Sequence, residues 1–242
     1  MRELMKDNRG VLLGSVAIFS FGLVASGYLL GDGLRRAKMS ERSVSVRGVS
    51  EREVVADLAT WTVSFSEEGT TLAPVQASVD DKSRKVRAFF ARMGFKPEDI
   101  SDSGISATQS YDRDREQDRV TVSRSIQLRS RDVMKVRAAH EKQAELIRDG
   151  VALSGSDVVY SYTRLNAIKP QMIAEANQGA RRNAEQFAKD SGAAVGRIKT
   201  ASQGYFSVGP RDGDVSEDGG SSGSGSPLQK VRVVTTVDYD ID

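Results

Sequence analysis

The sequence predicts an α+β domain of antiparallel sheets with packed helices, in the order ββαββαβαββ, preceded by one N-terminal transmembrane helix. Three observations predict it. Twenty consecutive residues, Val11 to Leu30, carry no charge. Behind them, runs of alternating apolar and polar residues come in neighbouring pairs. Between those runs lie stretches whose apolar residues recur at steps of three and four. Paired strands with intervening helices build antiparallel sheets covered by helices, and the order suits a duplicated ββα unit.

The uncharged run comes first. At about 1.5 Å per residue, twenty helical residues reach roughly 30 Å, the hydrocarbon thickness of a bilayer. Its apolar residues surround the helix instead of forming one stripe, which argues against a buried core helix. Arg9 on one side and Arg35, Arg36 and Lys38 on the other leave the positive-inside rule balanced. The short N-terminus favours a cytoplasmic leader over 1–10, a signal-anchor over 11–30 and a juxtamembrane linker over 31–42. The domain, 43–242, then stands on the far side of the membrane. The alternative is a cleaved signal peptide cut near Ala25-Ser26, which releases the domain in soluble form.

Composition narrows the chemistry. The chain has 35 Lys and Arg against 33 Asp and Glu. Seven of those basic residues and four of the acidic ones precede Ser43, so the domain holds 28 against 29 and is nearly neutral. That balance offers no electrostatic footprint for nucleic acid. With no cysteine, disulfides, thiolate nucleophiles and Cys-ligated zinc are excluded. A single histidine, His140, leaves little room for histidine metal sites or Ser-His-Asp triads.

Within the domain, Ser43 to Gly48 alternates as a strand that Gly48 ends. Val54 to Phe65 is a second strand, with Val55, Ala59, Trp61, Val63 and Phe65 on its core face. Asp57 shares that parity and is expected at the strand entrance, accepting bonds from backbone amides. Thr70 or Thr71 caps a helix to about Met93, with Leu72, Val75, Val79, Val86, Phe89, Phe90 and Met93 on one stripe. Gly94 stops it. Ile105–Tyr111 and Val120–Leu128 form a hairpin around the loop Asp112–Arg119. The loop's Asp112, Asp114 and Asp118 suggest calcium, but the interleaved Arg113, Arg115 and Arg119 and the missing glycine and terminal glutamate favour a solvated hairpin tip. Arg124 interrupts the apolar face of the second strand, predicting a bulge or an edge position.

Asp132 starts a second helix with Val133, Val136, His140, Ala144 and Ile147 on its stripe. His140 reads as a packing residue, since no orienting partner for a general base is identifiable. Asp157–Ile168 is a strand, and Pro170 suits the first turn of a third helix. Along that helix Ala176, Ala180, Ala184 and Ala188 recur every four residues up to Gly192, a seam that permits close packing. Val195–Val208 is a strand broken at Gly204. Residues 209–227 read as a flexible loop whose glycines follow no phosphate-binding pattern. Gln229–Ile241 closes the sheet as hairpin partner of Val195–Val208, with Val231, Val233, Val237, Tyr239 and Ile241 on one face.

Several of these residues together resemble the SIMPL-domain family of bacterial envelope proteins. They are Val46-Arg47-Gly48, Glu51-Arg52-Glu53 and Ala56-Asp57-Leu58-Ala59, then the four alanines leading into Gly192 and Val195-Gly196, and Val234 to Tyr239 at the close. Ala56 stands where the family often has proline. The resemblance covers about Ser43 to Ile241. It implies a periplasmic or inner-membrane-anchored protein, sometimes oligomeric, connected with envelope or oxidative stress, and it supplies no catalytic residues.

The resulting expectation is a non-enzymatic envelope interaction or assembly protein, held in the membrane by Val11–Leu30, with self-association or other envelope proteins as partners. No catalytic, cofactor or metal residue is assigned. The alternative is a small-ligand-binding protein with a pocket lined by Trp61, Tyr160, Tyr162 or Tyr205. A hydrolase using paired carboxylates is disfavoured because no spacing places two of them across one bond.

Overall fold

The computed structural model describes residues 19–33, 42–113, 116–213 and 225–241. The first of these is a helix, α1, over 19–33. The chain then follows β1 (Ser43–Val55), β2 (Leu58–Gly69), α2 (Leu72–Arg92), β3 (Ile100–Asp112) and β4 (Gln117–Ser130). It continues through α3 (Val133–Glu141), α4 (Ala144–Arg148), β5 (Leu153–Ser161), α5 (Leu165–Ser191), β6 (Val195–Gln203), β7 (Ser207–Pro210) and β8 (Leu228–Ile241). The α+β class and the packed helices are as the sequence predicts. One sheet has the order β3-β4-β2-β5, with every neighbour antiparallel; the other runs β1-β8-β6, with β7 also on β8.

Among the described residues no helix is long and apolar enough to cross a membrane. The helix α1 holds the C-terminal part of the expected 11–30 span, while 11–18 lie outside the described residues. Apolar side chains on α1, including Phe19, Phe21, Leu23 and Leu30, are exposed.

The chain divides into two compact units. The larger joins Val49–Ala176 to Gln203–Val234; the other takes the described parts of Met1–Gly48, Asn177–Ser202 and Thr235–Asp242.

In the larger unit, α2 lies on β2 and β4 through Val75, Val79, Val86, Phe89 and Phe90, all buried. The sheet answers with Ala59, Trp61, Val63 and Phe65 from β2 and Val120, Val122, Ile126 and Leu128 from β4. Trp61 is the centre. Its ring meets Phe90 edge-on at 5.1 Å and His140 at 5.2 Å, and its indole N–H donates to Ser156 Oγ at 3.0 Å. Such rings gain about 0.5–1.5 kcal/mol per pair beyond their burial. Gly94, at φ +81°, ends α2 in the left-handed region that glycine enters freely.

Several expected boundaries move, each for a visible reason. Gly48 does not end the first strand. Period-two burial continues beyond it, but the inward positions are Ser50 and Arg52, whose polarity hides the strand in the sequence. Both bond Glu175 of α5, at 2.8 Å each. The single strand expected over Val54–Phe65 is instead the end of β1 and the start of β2, separated at Ala56-Asp57, where the chain changes sheets. Val55 is consequently exposed instead of core. Leu72, at the exposed start of α2, is likewise outside the core.

Arg124 marks neither a bulge nor an edge of the sheet. β4 is an interior strand, and Arg124 donates to Asp80 Oδ1 and to Ser83 Oγ on α2, both at 2.9 Å. Beside it, Glu67 of β2 pairs with Lys82 and accepts from Ser78 at 3.1 Å. The helix predicted after Asp132 is broken into α3 and α4, so Ala139 and Leu146 are buried while Ile147 is exposed. The strand expected over Asp157–Ile168 ends at Ser161. Leu165, Ile168, Met172 and Ala176 already follow helical spacing against Val231 and Val233, so α5 begins at Leu165 and Pro170 lies in its second turn.

The alanine seam is buried throughout: Ala176, Ala180, Ala184 and Ala188 are each at most 2% exposed. In the smaller unit, Ala180 and Ala184 pack with Val44, Val237 and Tyr239. The break at Gly204 separates β6 from β7 as expected. Its N–H donates to Val234 O at 2.8 Å, and a side-chain carbon there would come within 2.9 Å of that oxygen, so only glycine fits without displacement. Both β6 and β7 pair with β8, which is the closing partnership the sequence predicts. Of the loop 209–227, residues 214–224 lie outside the described residues.

Candidate functional site

Two features of the larger unit present chemistry to solvent: a cleft beside the β1–β2 junction and the outer edge of β3.

The cleft begins at Asp57. Its backbone is fixed first, because Ala56 N donates to Pro227 O at 2.8 Å and Asp57 N to Ser161 O at 3.1 Å. The side chain then accepts from Thr163 N at 2.8 Å and from Arg164 Nε at 2.9 Å. Asp57 thus ties the start of β2 to the passage from β5 into α5, the backbone-amide role the sequence predicts. Burial pushes its carboxyl up, but the bonds from Thr163 and Arg164 together with the guanidinium charge outweigh burial and hold it below the usual carboxylate range. Next to this junction Gln229 donates to Tyr160 O at 2.7 Å, a buried bond that anchors the start of β8.

The cleft itself encloses about 720 Å³. Its acidic lining is Asp57, Glu98 and Asp99; its basic lining is Arg129 and Arg131; Leu58, Ser101, Gln127, Ser130 and Thr163 complete it. Glu98 and Asp99 arrive on a single 3₁₀ turn, Pro97–Asp99, that leads into β3. Lys96 holds both of them: its ammonium reaches Glu98 at 3.2 Å and its backbone N–H donates to Asp99 at 3.3 Å. Arg129 lies on β4 opposite Thr60. Among the described residues no group of three His, Asp or Glu side chains is arranged to hold a metal ion.

The four aromatics considered from the sequence as a pocket lining fall into different surroundings. Trp61 and Tyr160 belong to the core around α2, Tyr162 packs with Met172 and Val233, and Tyr205 is exposed. None of the four lines the cleft. His140 packs on Trp61, and its Nε2 is buried without a hydrogen-bond partner among the described residues. The hairpin tip is shorter than expected: β3 runs to Asp112 and β4 begins at Gln117. Arg119, placed in the loop by the sequence, is in β4 and pairs with Glu68 at 2.6 Å. Asp114 lies outside the described residues, so the calcium question does not extend to it.

The second feature is β3. It pairs with β4 along one side, and no described residue pairs with the other. Every residue from Ser101 to Tyr111 is exposed, including Ile105 and Tyr111. Ser103 to Tyr111 contains neither charge nor proline. In register, Ile105 stands opposite Arg124 and Ala107 opposite Val122, so the covered face of β4 continues onto β3 without a helix above it. The sequence places this strand but not its exposure, because only strand order decides which strand is outermost.

No curated protein matches the chain. A family profile does, over residues 44–239, a range that takes in the Asp57 junction, the cleft, β3 and the alanine seam. The chain belongs to the SIMPL family, described as a protein of unknown function (DUF541).

Proposed function

We propose that the protein is a membrane-anchored, non-enzymatic interaction and assembly module of the cell envelope, and that the outer edge of β3 is its contact surface. The observation that carries this reading is the exposed and uncharged stretch Ser103–Tyr111 of β3, whose outer edge no described residue pairs. A free strand edge presents a row of unsatisfied N–H and C=O groups, a template for a further strand. Proteins that remain monomeric blunt such an edge with lysine, proline, a bulge or a cover. Ser103–Tyr111 has neither lysine nor proline, and the one register shift of β3 against β4 lies at its start, between Asp102 and Gly104. Anchoring is supported by the uncharged run Val11–Leu30 and by the exposed apolar side chains on α1.

The test is light scattering after size-exclusion chromatography of the full-length, detergent-solubilised protein, with Ile105→Lys and Thr108→Lys beside it. The wild type is expected to self-associate. Each lysine is expected to dissociate it while leaving the unfolding transition within about 0.5 kcal/mol, the usual effect of an exposed substitution. A wild-type monomer at high concentration would remove the self-assembly reading, and an oligomer untouched by either lysine would remove β3 as its surface.

A further inference from the structure

We propose that the cleft beside Asp57 is a binding site for a small oxyanion-bearing ligand, a di- or polyanion of the phosphate or carboxylate class, gripped by Arg129 and Arg131. The inference rests on a charge account of the cleft and is independent of the β3 edge.

Each acidic side chain lining the cleft already has a cationic or N–H partner. Asp57 is held by Thr163 and Arg164, Glu98 and Asp99 by Lys96. The two arginines differ. Among the described residues neither guanidinium has a hydrogen-bond or ion-pair partner, although both line the same cavity. The carboxylates are therefore spent on the fold, and the cationic capacity is what remains for a ligand.

The placement suits the chemistry. Arg129 is the last residue but one of β4 and Arg131 lies in the bend immediately after the strand, and both line the cleft. Each guanidinium offers planar paired donors that match the two oxygens of a carboxylate or phosphate. Ser101 and Gln127, opposite one another in the β3–β4 register, supply further polar groups to the wall. A cation is the poorer occupant, since it would face two free guanidinium groups and carboxylates that are already partnered.

The experiment is isothermal titration calorimetry of the full-length protein at low salt, with inorganic pyrophosphate, citrate and monomeric dihexanoylphosphatidic acid as probes. Saturable binding at one site per chain is expected for at least one probe. The preferred probe distinguishes a free phosphate, a polycarboxylate and a lipid headgroup as the source of the anion. Arg129→Gln with Arg131→Gln should weaken binding at least tenfold. Arg129→Lys with Arg131→Lys should retain part of it, because charge survives but the paired donors do not. Arg197→Gln, which removes one positive charge from β6, should leave affinity unchanged. Absence of saturable binding by all three probes would overturn the proposal. So would an equal loss in Arg197→Gln, which would mean that overall charge and not the cleft attracts the anion.

Discussion

The helices α2 and α5 both cover a sheet, and they do so by opposite means. On α2 the buried apolar positions are Val75, Val79, Val86, Phe89 and Phe90, side chains that fill the space between helix and strands. On α5 they are Met172 followed by four alanines at four-residue spacing. Alanine supplies little volume, so the backbone itself must come near Val231 and Val233 in one unit and Val237 and Tyr239 in the other. The first contact is secured by filling space, the second by leaving none. Volume removed should injure the first, and volume added should injure the second.

Phe90→Ala is expected to have the largest effect. It deletes a ring in contact with Trp61, Phe89 and Phe95 and should cost about 3–5 kcal/mol in urea unfolding. A loss below 1 kcal/mol would mean that the α2 core collapses readily and the contrast with α5 is false. Ala184→Leu should follow, at about 1–3 kcal/mol, because a larger side chain forces the helix away from β8. Phe187→Ala, on the exposed side of the same helix, should remain within about 0.5 kcal/mol. Equal effects of these two substitutions would dissolve the idea of a tight alanine seam.

The polar junctions give smaller effects. Asp57 is held below the ordinary carboxylate range in the folded chain, so it favours folding once it is ionised. Its contribution is complete above the unfolded value near 4 and is lost as pH falls through the lower folded value. Asp57→Asn should therefore cost about 1–2 kcal/mol at neutral pH and nothing in strong acid. Stability curves for the two proteins that run parallel from pH 7 to pH 2 would contradict this. Arg124→Ala should cost about 1–2 kcal/mol, since Asp80 keeps contact with solvent and with Gln76. The smallest change belongs to Thr108→Lys, which is expected to alter association and barely touch unfolding.

Much of this architecture is legible in the sequence. Alternation locates β2, β4 and β8, and the three-and-four spacing locates α2 and the alanine seam, because one-sided burial writes its period directly into the residues. The elements that escape are those whose buried faces carry polar groups. The second half of β1 is disguised by Ser50 and Arg52, and Arg124 imitates an edge strand although it lies in the middle of the sheet. Their partners, Glu175 and Asp80, are distant in sequence, so no local pattern announces them. The cleft is legible in part. Asp57 stands out by its place at a strand entrance, whereas Arg129 and Arg131 belong to a pattern that looks like ordinary solvated charge.

The sequence by itself determined the α+β class, the family and the near neutrality of the domain. It also excluded thiol chemistry and all but excluded histidine chemistry, since residue types and their periods are local properties. Tertiary structure decided which strand is left at an edge, which charges are already matched and where a cleft opens. Those are properties of strand order and of pairing across more than a hundred residues. That is why β3 and the Arg129–Arg131 pair emerge only when the chain is folded.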